Sequence, residues 1–365
     1  MRTALVALLV AVFFAATAQA EIVRLEIRSR ETAAGGAAAG SAGPFEIIRG
    51  IAHGEIDPRD PHNTIIQDLD LAPRNSRGMV EYAATFALAV PVDRAKAARV
   101  LLYQVVNRGN GQVTLGGDGY ISLISGWQGD LPDNSPNLQT IKVPIATHAG
   151  GTPVTGPVLV RFVDVPNGAT PAAIRLSSMG TTPPQYPPAG LAQPEATLTM
   201  HRGETTTGMI SGQETIPRGD WAFANCEQAP FPGTPDPTRI CLKGGFRNDR
   251  VYDLVYTAKD PLVLGAGLAA TRDLVSFIRY AKADRTGTPN PVAGLIDRAV
   301  SIGDSQSGNF IKTFIHLGFN QDEGNRIVWD GAFPRIAARQ TPMNFRFALP
   351  GGAATLYEPG SEGVL

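Results

Sequence analysis

The chain has 365 residues, 43% of them hydrophobic, so it can bury a large core as one big domain or two ordinary ones. Its formal net charge is −1 and its Lys and Arg residues are scattered, which argues against a nucleic-acid-binding surface and a polybasic membrane patch. Forty glycines and 29 prolines indicate many turns and long loops.

The N-terminus has the three parts of a secretory signal peptide. Arg2 precedes an apolar run over residues 4–16, and residues 18–20 (AQA) end the segment before Glu21. We therefore predict that residues 1–20 are removed after Ala20 and that the mature protein is exported, to the periplasm or the cell exterior. No later segment has the about 20 apolar residues of a membrane-spanning helix, so no membrane span is expected.

The first third of the chain is rich in strand-like patterns. Apolar alternation and β-compatible residues predict strands at 23–27, 45–48, 80–92, 100–106 and 120–125. The last two strands are apolar throughout, and each ends in a polar, glycine-rich loop. This arrangement is typical of the carboxyl edge of an open α/β sheet, where ligands bind.

The middle of the chain changes composition. Between about residues 132 and 249, Pro, Gly and Thr dominate and the alternating runs are short, which predicts a β-rich insertion. Helical periodicity then returns and predicts a helix over 267–283. Residues 265–270 (GAGLAA) imitate a dinucleotide-binding fingerprint, but the βαβ unit near the chain start is missing, so no nucleotide cofactor is predicted.

Cys226 and Cys241 are the two cysteines of the chain. In an oxidising compartment they predict a disulfide, which would stabilise the fold by about 3 kcal/mol. A metal site would need further soft ligands nearby. The histidines lack ligand spacing, so metal binding is not predicted.

Residues 303–308 (GDSQSG) join an apolar strand at 298–302 to an apolar helix at 309–317. Small residues two positions either side of Ser305 fit a nucleophile elbow, in which only small neighbours let strand and helix backbones approach closely. Such a turn directs the backbone N–H of Gln306 at the oxygen that becomes negative in acyl transfer. The pattern predicts a serine hydrolase, and a small-residue turn without function is the alternative.

Several segments occur together in the order known from one family. They are 60–69 (DPHNTIIQDL), 105–109 (VVNRG), 125–130 (SGWQGD), 260–273 (DPLVLGAGLAATRD), 303–308 (GDSQSG) and 317–320 (LGFN). From about residue 45 onward the chain thus resembles the exported bacterial proteins called "alpha/beta hydrolase domain-containing". The resemblance implies an α/β-hydrolase fold over residues 21–365, with a mostly parallel sheet and flanking helices. It also implies serine hydrolase chemistry on a small-molecule, ester-like substrate, without naming that substrate or an oligomeric state.

The second oxyanion donor of such a fold comes from the loop after an earlier strand. The loop at 107–111 is the candidate, with the N–H of Gly109 or Asn110, and a plain strand-ending turn is the alternative. Trp127 and Gln128 end the next strand and are candidates to line the substrate pocket. For Trp127, a core tryptophan is the alternative.

The family order of serine, acid and histidine is incomplete here. His316 is the one histidine after Ser305, and it lies about three turns along the predicted helix. We therefore expect a C-terminally truncated sequence, inactive by itself, with the general base outside the 365 residues. Asp330, at the end of a predicted strand at 326–331, is the candidate acid, and a loop or capping aspartate is the alternative.

The sequence thus predicts an exported serine hydrolase that cleaves carboxylic esters through an acyl-enzyme on Ser305. The alternative is a non-catalytic small-molecule-binding protein with the same fold. Residues 303–305 also resemble the first block of GDSL-type esterases, but the partner Asp-x-x-His motif of that family is absent from the chain.

Overall fold

The computed structural model describes residues 21–131, 138–162, 165, 173–176, 186–205, 207 and 209–350. The predicted signal peptide at 1–20 lies outside the described residues, as do parts of the region predicted to be a β-rich insertion.

The main sheet has eight strands in the order β1-β2-β3-β5-β4-β18-β19, with β6 paired to β3. These strands are β1 (Glu21–Thr32), β2 (Phe45–Ile56), β3 (Val80–Pro91), β4 (Val100–Gln104), β5 (Ile121–Ser125), β6 (Ile141–Lys142), β18 (Arg298–Asp304) and β19 (Gly331–Arg335).

The prediction of a mostly parallel sheet is wrong. Three pairings, among β5, β4, β18 and β19, are parallel. The four pairings that join β1, β2, β3, β5 and β6 are antiparallel. The alternating patterns of β1 to β3 reveal strands with one half-exposed face, but alternation has the same period in both directions and cannot show which way a strand runs.

Two α-helices are present in the described residues, α1 (Ala266–Tyr280) and α2 (Gln306–His316), fewer than the flanking layers that were predicted. Both pack on one face of the sheet. The Tyr103 hydroxyl of β4 lies 3.4 Å from the Thr271 hydroxyl of α1, and the Tyr103 ring stacks on Trp329. Trp329 in turn packs on Phe314 of α2, with ring centroids 4.1 Å apart. Neither helix combines the length and the hydropathy that crossing a membrane requires.

The chain between β6 and α1 forms smaller sheets of its own. Four strands follow the order β12-β9-β17-β7, three follow β13-β16-β8, and two further pairs are β10-β11 and β14-β15. These strands are β7 (Thr155–Phe162), β8 (Ala173–Arg175), β9 (Thr197–His201), β10 (Gly203–Glu204), β11 (Ile210–Ser211), β12 (Glu214–Ile216), β13 (Trp221–Ala222), β14 (Ala224–Asn225), β15 (Thr234–Pro235), β16 (Arg239–Leu242) and β17 (Val251–Lys259). Cys226 and Cys241 lie at disulfide distance, with Cα atoms 5.7 Å apart.

The connections of β4 and β18 create a switch point in the main sheet. From β4 the chain passes to β5 on one side, and from β18 it passes to β19 on the other. The carboxyl ends of β4 and β18 therefore flank a crevice, which is where open α/β sheets bind ligands.

Candidate active site

Ser305 stands between the last residue of β18 and the first residue of α2. Its backbone has φ 56° and ψ −118°, a region that residues other than glycine rarely occupy and that costs on the order of 1–3 kcal/mol. Two hydrogen bonds hold this conformation, from the Ser305 N–H to the Arg335 carbonyl (3.0 Å) and from the Asn309 N–H to the Ser305 carbonyl (2.8 Å).

The Ser305 side chain is exposed, and it makes no capping hydrogen bond with α2 although serine is a preferred capping residue. The hydroxyl is therefore free to reach a bound molecule.

Glycines on both sides of Ser305 allow this turn to be tight. A Cβ atom on Gly303 would stand 2.7 Å from the carbonyl carbon of Ser307. A Cβ atom on Gly308 would stand 2.7 Å from the Arg335 carbonyl oxygen. Both distances are far below a van der Waals contact, so β18, α2 and β19 meet only because these positions carry no side chain.

Gln306 begins α2, and the first N–H groups of a helix have no acceptor within the helix. The partial positive charge of the helix N-terminus adds to the attraction of this N–H group for a negative oxygen. The rest of Gln306 is held in place, because its Nε2 donates to the Pro350 carbonyl (2.5 Å) and its carbonyl accepts from the Thr341 hydroxyl (3.2 Å). The backbone N–H of Gln306 is thus available to a ligand.

A crevice of about 240 Å³ lies at the carboxyl ends of β4 and β18. The residues that line it include Asn107, Asn110, Gly303, Asp304, Ser307 and Arg335. The crevice therefore brings the loop at 107–111 next to the segment that carries Ser305.

The two oxyanion candidates of this loop differ in the state of their N–H groups. Asn110 donates its N–H to the Asn107 carbonyl (2.9 Å), so the turn itself occupies that donor. Gly109 has φ 74°, and a Cβ there would stand 2.8 Å from the Gln139 carbonyl oxygen. The loop therefore requires glycine at 109, and the Gly109 N–H, which donates to no backbone acceptor among the described residues, is the better of the two candidates.

Trp127 lies in the core and is absent from the crevice wall. Its side chain is fully buried, its indole Nε1–H donates to the Val106 carbonyl (2.8 Å), and its ring packs 4.5 Å from that of Phe310 in α2. Trp127 therefore packs in the core, which is the alternative given for it in the sequence analysis. Gln128 is also buried, and among the described residues its side-chain oxygen and nitrogen have no hydrogen-bond partner.

Asp330, the predicted catalytic acid, does not lie beside Ser305. Asp330 precedes β19 and exchanges hydrogen bonds with Ala299, near the amino end of β18, whereas Ser305 follows the carboxyl end. Ala299 and Ser305 are six residues apart along the direction of β18, which corresponds to about 20 Å. Burial acts to raise the pKa of Asp330, but hydrogen bonds from the Ala299 N–H and Arg279 outweigh it and lower the pKa. Asp330 is thus an ion-paired carboxylate at the opposite edge of the sheet.

None of the five histidines, all in the described residues, is next to Ser305. His316 ends α2, about 16 Å along the helix axis. His53 bonds to Glu26 and His62 to Asp60. His148 precedes a short turn, and His201 is fully buried on β9. In the described part of the chain, no three His, Cys, Asp or Glu side chains converge as metal ligands.

Two crevice residues were not anticipated from the sequence as contributors to the site. Arg335 forms an ion pair with Asp304 at 2.6 Å, and this hydrogen bond raises the pKa of Arg335. The pairing of Asp304 with Arg335 in the parallel register of β18 and β19 brings them together, and no sequence pattern reveals that register. The sequence analysis used Ser307 only as a small residue two positions after Ser305. Its polar side chain could have suggested a second role.

A sheet switch point and a strand–serine–helix turn are features that α/β-hydrolase domains have. Residues 194–355 match a family model described as "Alpha/beta hydrolase domain", which confirms the family resemblance for this part of the chain. The match includes β18, Ser305 and α2. No curated protein and no solved structure shows a significant match to the chain.

Proposed function

We propose that the protein is an exported serine hydrolase that cleaves carboxylic esters through an acyl-enzyme on Ser305. The observation that supports this most strongly is the Ser305 backbone conformation, which leaves an exposed, uncapped hydroxyl at the start of α2. A strained turn of this kind is retained where the strain serves a function.

In the proposed reaction, Ser305 Oγ forms a bond to the ester carbonyl carbon while its proton passes to a base. The carbonyl oxygen becomes negative and accepts hydrogen bonds from the Gln306 N–H and from an N–H of the 107–111 loop, with Gly109 preferred. The tetrahedral intermediate then collapses, the carbonyl re-forms, and the alcohol leaves with a proton. Water repeats the sequence on the acyl-enzyme and releases the acid.

The proposal assigns no general base, because none of the five histidines of the chain lies next to Ser305. The same observation favours the second candidate function, a small-molecule-binding protein that keeps the hydrolase fold without catalysis. In that case the crevice would bind a ligand reversibly, and Ser305 would not be nucleophilic.

Labelling with a fluorophosphonate probe distinguishes the two functions. Full-length protein from the natural gene is treated with the probe, and the modified peptide is identified by mass spectrometry. We expect labelling at Ser305 and its loss in Ser305→Ala. The control is Ser301→Ala, at a buried serine within β18, which should label like the wild type. Absence of labelling in the wild type would favour the binding protein.

Export is tested separately on the same protein. We expect the mature form, isolated from cell fractions, to begin at Glu21 and to be found in the periplasm or the medium. A mature N-terminus at Met1 in the cytoplasmic fraction would contradict this part of the proposal.

A further inference from the structure

Ile336 is a large apolar residue that the fold holds in the open. It follows β19 directly, and its side chain is 82% exposed, the largest exposed fraction among the large apolar side chains that the structure describes. Its φ is 50°, a value that β-branched residues rarely adopt because the side chain crowds the backbone. The position thus combines backbone strain with an apolar side chain that gains little burial, and the stability of the fold favours neither.

The sheet register places Ile336 next to Ser305. β18 and β19 run parallel, and Asp304 opposite Arg335 is their last pair. Ser305 and Ile336 follow at the next position of each strand, and both have a positive φ and an exposed side chain. The Ser305 N–H donates to the Arg335 carbonyl (3.0 Å), and neighbouring strands lie about 4.8 Å apart. A group bound to Ser305 can therefore reach Ile336 through a few carbon atoms.

Contacts on both sides hold the backbone of Ile336 in place. Before it, the Arg335 carbonyl is bonded to the turn that carries the proposed nucleophile. After it, the Ala337 carbonyl accepts from Lys312 Nζ of α2 (3.0 Å). A Cβ atom on Gly308 would stand 3.0 Å from the Ala337 Cβ, so this segment lies directly on the first turn of α2. Strain that the surroundings impose in this way is concentrated at ligand-binding and active sites.

We propose that Ile336 is a specificity-determining residue that contacts an apolar substituent of the ester bound at Ser305. The loop at 107–111, with its oxyanion donor, follows β4, whereas Ile336 follows β19 on the other side of β18. An ester whose carbonyl oxygen faces that loop directs its acyl and alcohol groups away from it, and one of them extends toward Ile336. The substrates are then esters with an apolar chain of several carbons. This inference rests on the proposed function.

Two pairs of esters identify the group that contacts Ile336. 4-Nitrophenyl butyrate and 4-nitrophenyl acetate differ in the acyl chain, and butyl acetate and methyl acetate differ in the alcohol. The ratio of kcat/KM for the longer ester to kcat/KM for the shorter one is measured for each pair with full-length protein. We expect the wild type to prefer the longer ester in at least one pair, and Ile336→Ala to lower that ratio by about three- to tenfold because the apolar contact is lost.

Ile327→Ala is the matched control for the loss of an exposed isoleucine. Ile327 is 46% exposed, and its carbonyl accepts from Arg279, which also donates to the Asp297 carbonyl before the amino end of β18. Ile327 therefore lies at the edge of the sheet opposite to Ser305. Both ester ratios of Ile327→Ala should equal those of the wild type.

Ile336→Gly tests whether the strained residue serves the substrate or the fold. Glycine adopts a positive φ without steric conflict, so this variant should melt at or above the wild-type temperature. It should nevertheless lose the preference for the longer ester as Ile336→Ala does. A melting temperature clearly below that of the wild type would show that Ile336 supports the fold, and would overturn the argument from strain.

Fluorophosphonate labelling of Ser305 in each variant separates failure of this inference from failure of the proposed function. Labelling together with unchanged ratios in Ile336→Ala, or a wild type without preference in either pair, would overturn the role of Ile336 and leave the hydrolase intact. An equal loss for short and long esters would also overturn it, since Ile336 would then act by positioning the Ser305 turn. No labelling of wild-type Ser305 would overturn the proposed function and this inference with it.

Discussion

Replacing Gly303 with alanine adds one methyl group at the tightest point of the turn that carries Ser305. The new Cβ atom would lie 2.7 Å from the carbonyl carbon of Ser307 and 2.8 Å from its oxygen. Carbon atoms pack at about 3.5–4.0 Å, so the N-terminus of α2 would have to move by about 1 Å. Both atoms belong to backbone, which cannot rotate away as a flexible side chain could.

Overpacking of this kind costs about 1–3 kcal/mol. For a domain of this size, the melting temperature should fall by about 1–4 °C. The displacement of α2 also moves the Gln306 N–H relative to Ser305. We therefore expect fluorophosphonate labelling of Gly303→Ala to be at least about tenfold slower than that of the wild type, because small misplacements strongly reduce reaction rates.

Differential scanning fluorimetry and labelling time courses measure the two effects. Gly219→Ala is the matched control, since a Cβ atom there meets nothing within 4 Å and Gly219 has no positive φ. It should melt and label like the wild type. If Gly303→Ala melts at the wild-type temperature and labels at the wild-type rate, the tight approach of β18 and α2 is refuted.

Three further changes test other parts of the structure. Arg272 is fully buried and paired with Asp273 (2.8 Å) and Glu323 (3.1 Å). Arg272→Met should therefore lower the free energy of unfolding, measured by urea denaturation, by about 3–5 kcal/mol. Arg99→Met, at an exposed ion pair, is the control and should lower it by less than about 1 kcal/mol. Burial acts to raise the pKa of Asp284, but hydrogen bonds, including those from the Leu25 and Thr288 N–H groups, outweigh it and lower the pKa. The ionised Asp284 therefore stabilises the fold fully above its ordinary pKa of 3.8, and this stabilisation is lost as the pH falls through the lower pKa of the folded state. Asp284→Asn should therefore melt below the wild type at pH 7, and the gap should close below pH about 4; a constant gap would contradict this. Replacing Cys226 and Cys241 together with serine, which opens a bridge between residues 15 positions apart, should cost about 3 kcal/mol, and wild type and variant should melt alike in reductant.

The surroundings of Ser305 were predictable because their signal is local. The sequence predicts a strand at 298–302 and a helix at 309–317, and the structure has Arg298–Asp304 and Gln306–His316. Apolar periodicity and small residues within a few positions of each other are sufficient to indicate such a strand–turn–helix unit.

The predicted strand after α2 lies too early in the chain, and Asp330, expected at its carboxyl end, instead precedes the observed strand β19. The apolar run around Val328 and Trp329 resembles a strand, but both residues anchor a loop in the core, where Trp329 packs on Phe314. The true strand, β19, lies at the edge of the sheet within the described residues and exposes Phe333 to solvent. An edge strand lacks the continuous hydrophobicity that marks a buried one.

The crevice itself could be predicted only in part. Polar loops after β4 and β5 indicated a ligand site at the carboxyl edge, and the sheet order places these strands side by side, with β18 next to β4. The pairing of Asp304 with Arg335 and the burial of Ser307 depend on strand register and on packing between distant segments. Such long-range contacts have no local signature in one sequence.

A crystal structure of the full-length protein after reaction with a fluorophosphonate tests the central claim most directly. We predict phosphorus bonded to Ser305 Oγ and the phosphoryl oxygen about 2.7–3.1 Å from the Gln306 N–H and from an N–H of the 107–111 loop. Phosphorus on another residue, or a phosphoryl oxygen that faces solvent away from both N–H groups, would contradict the account.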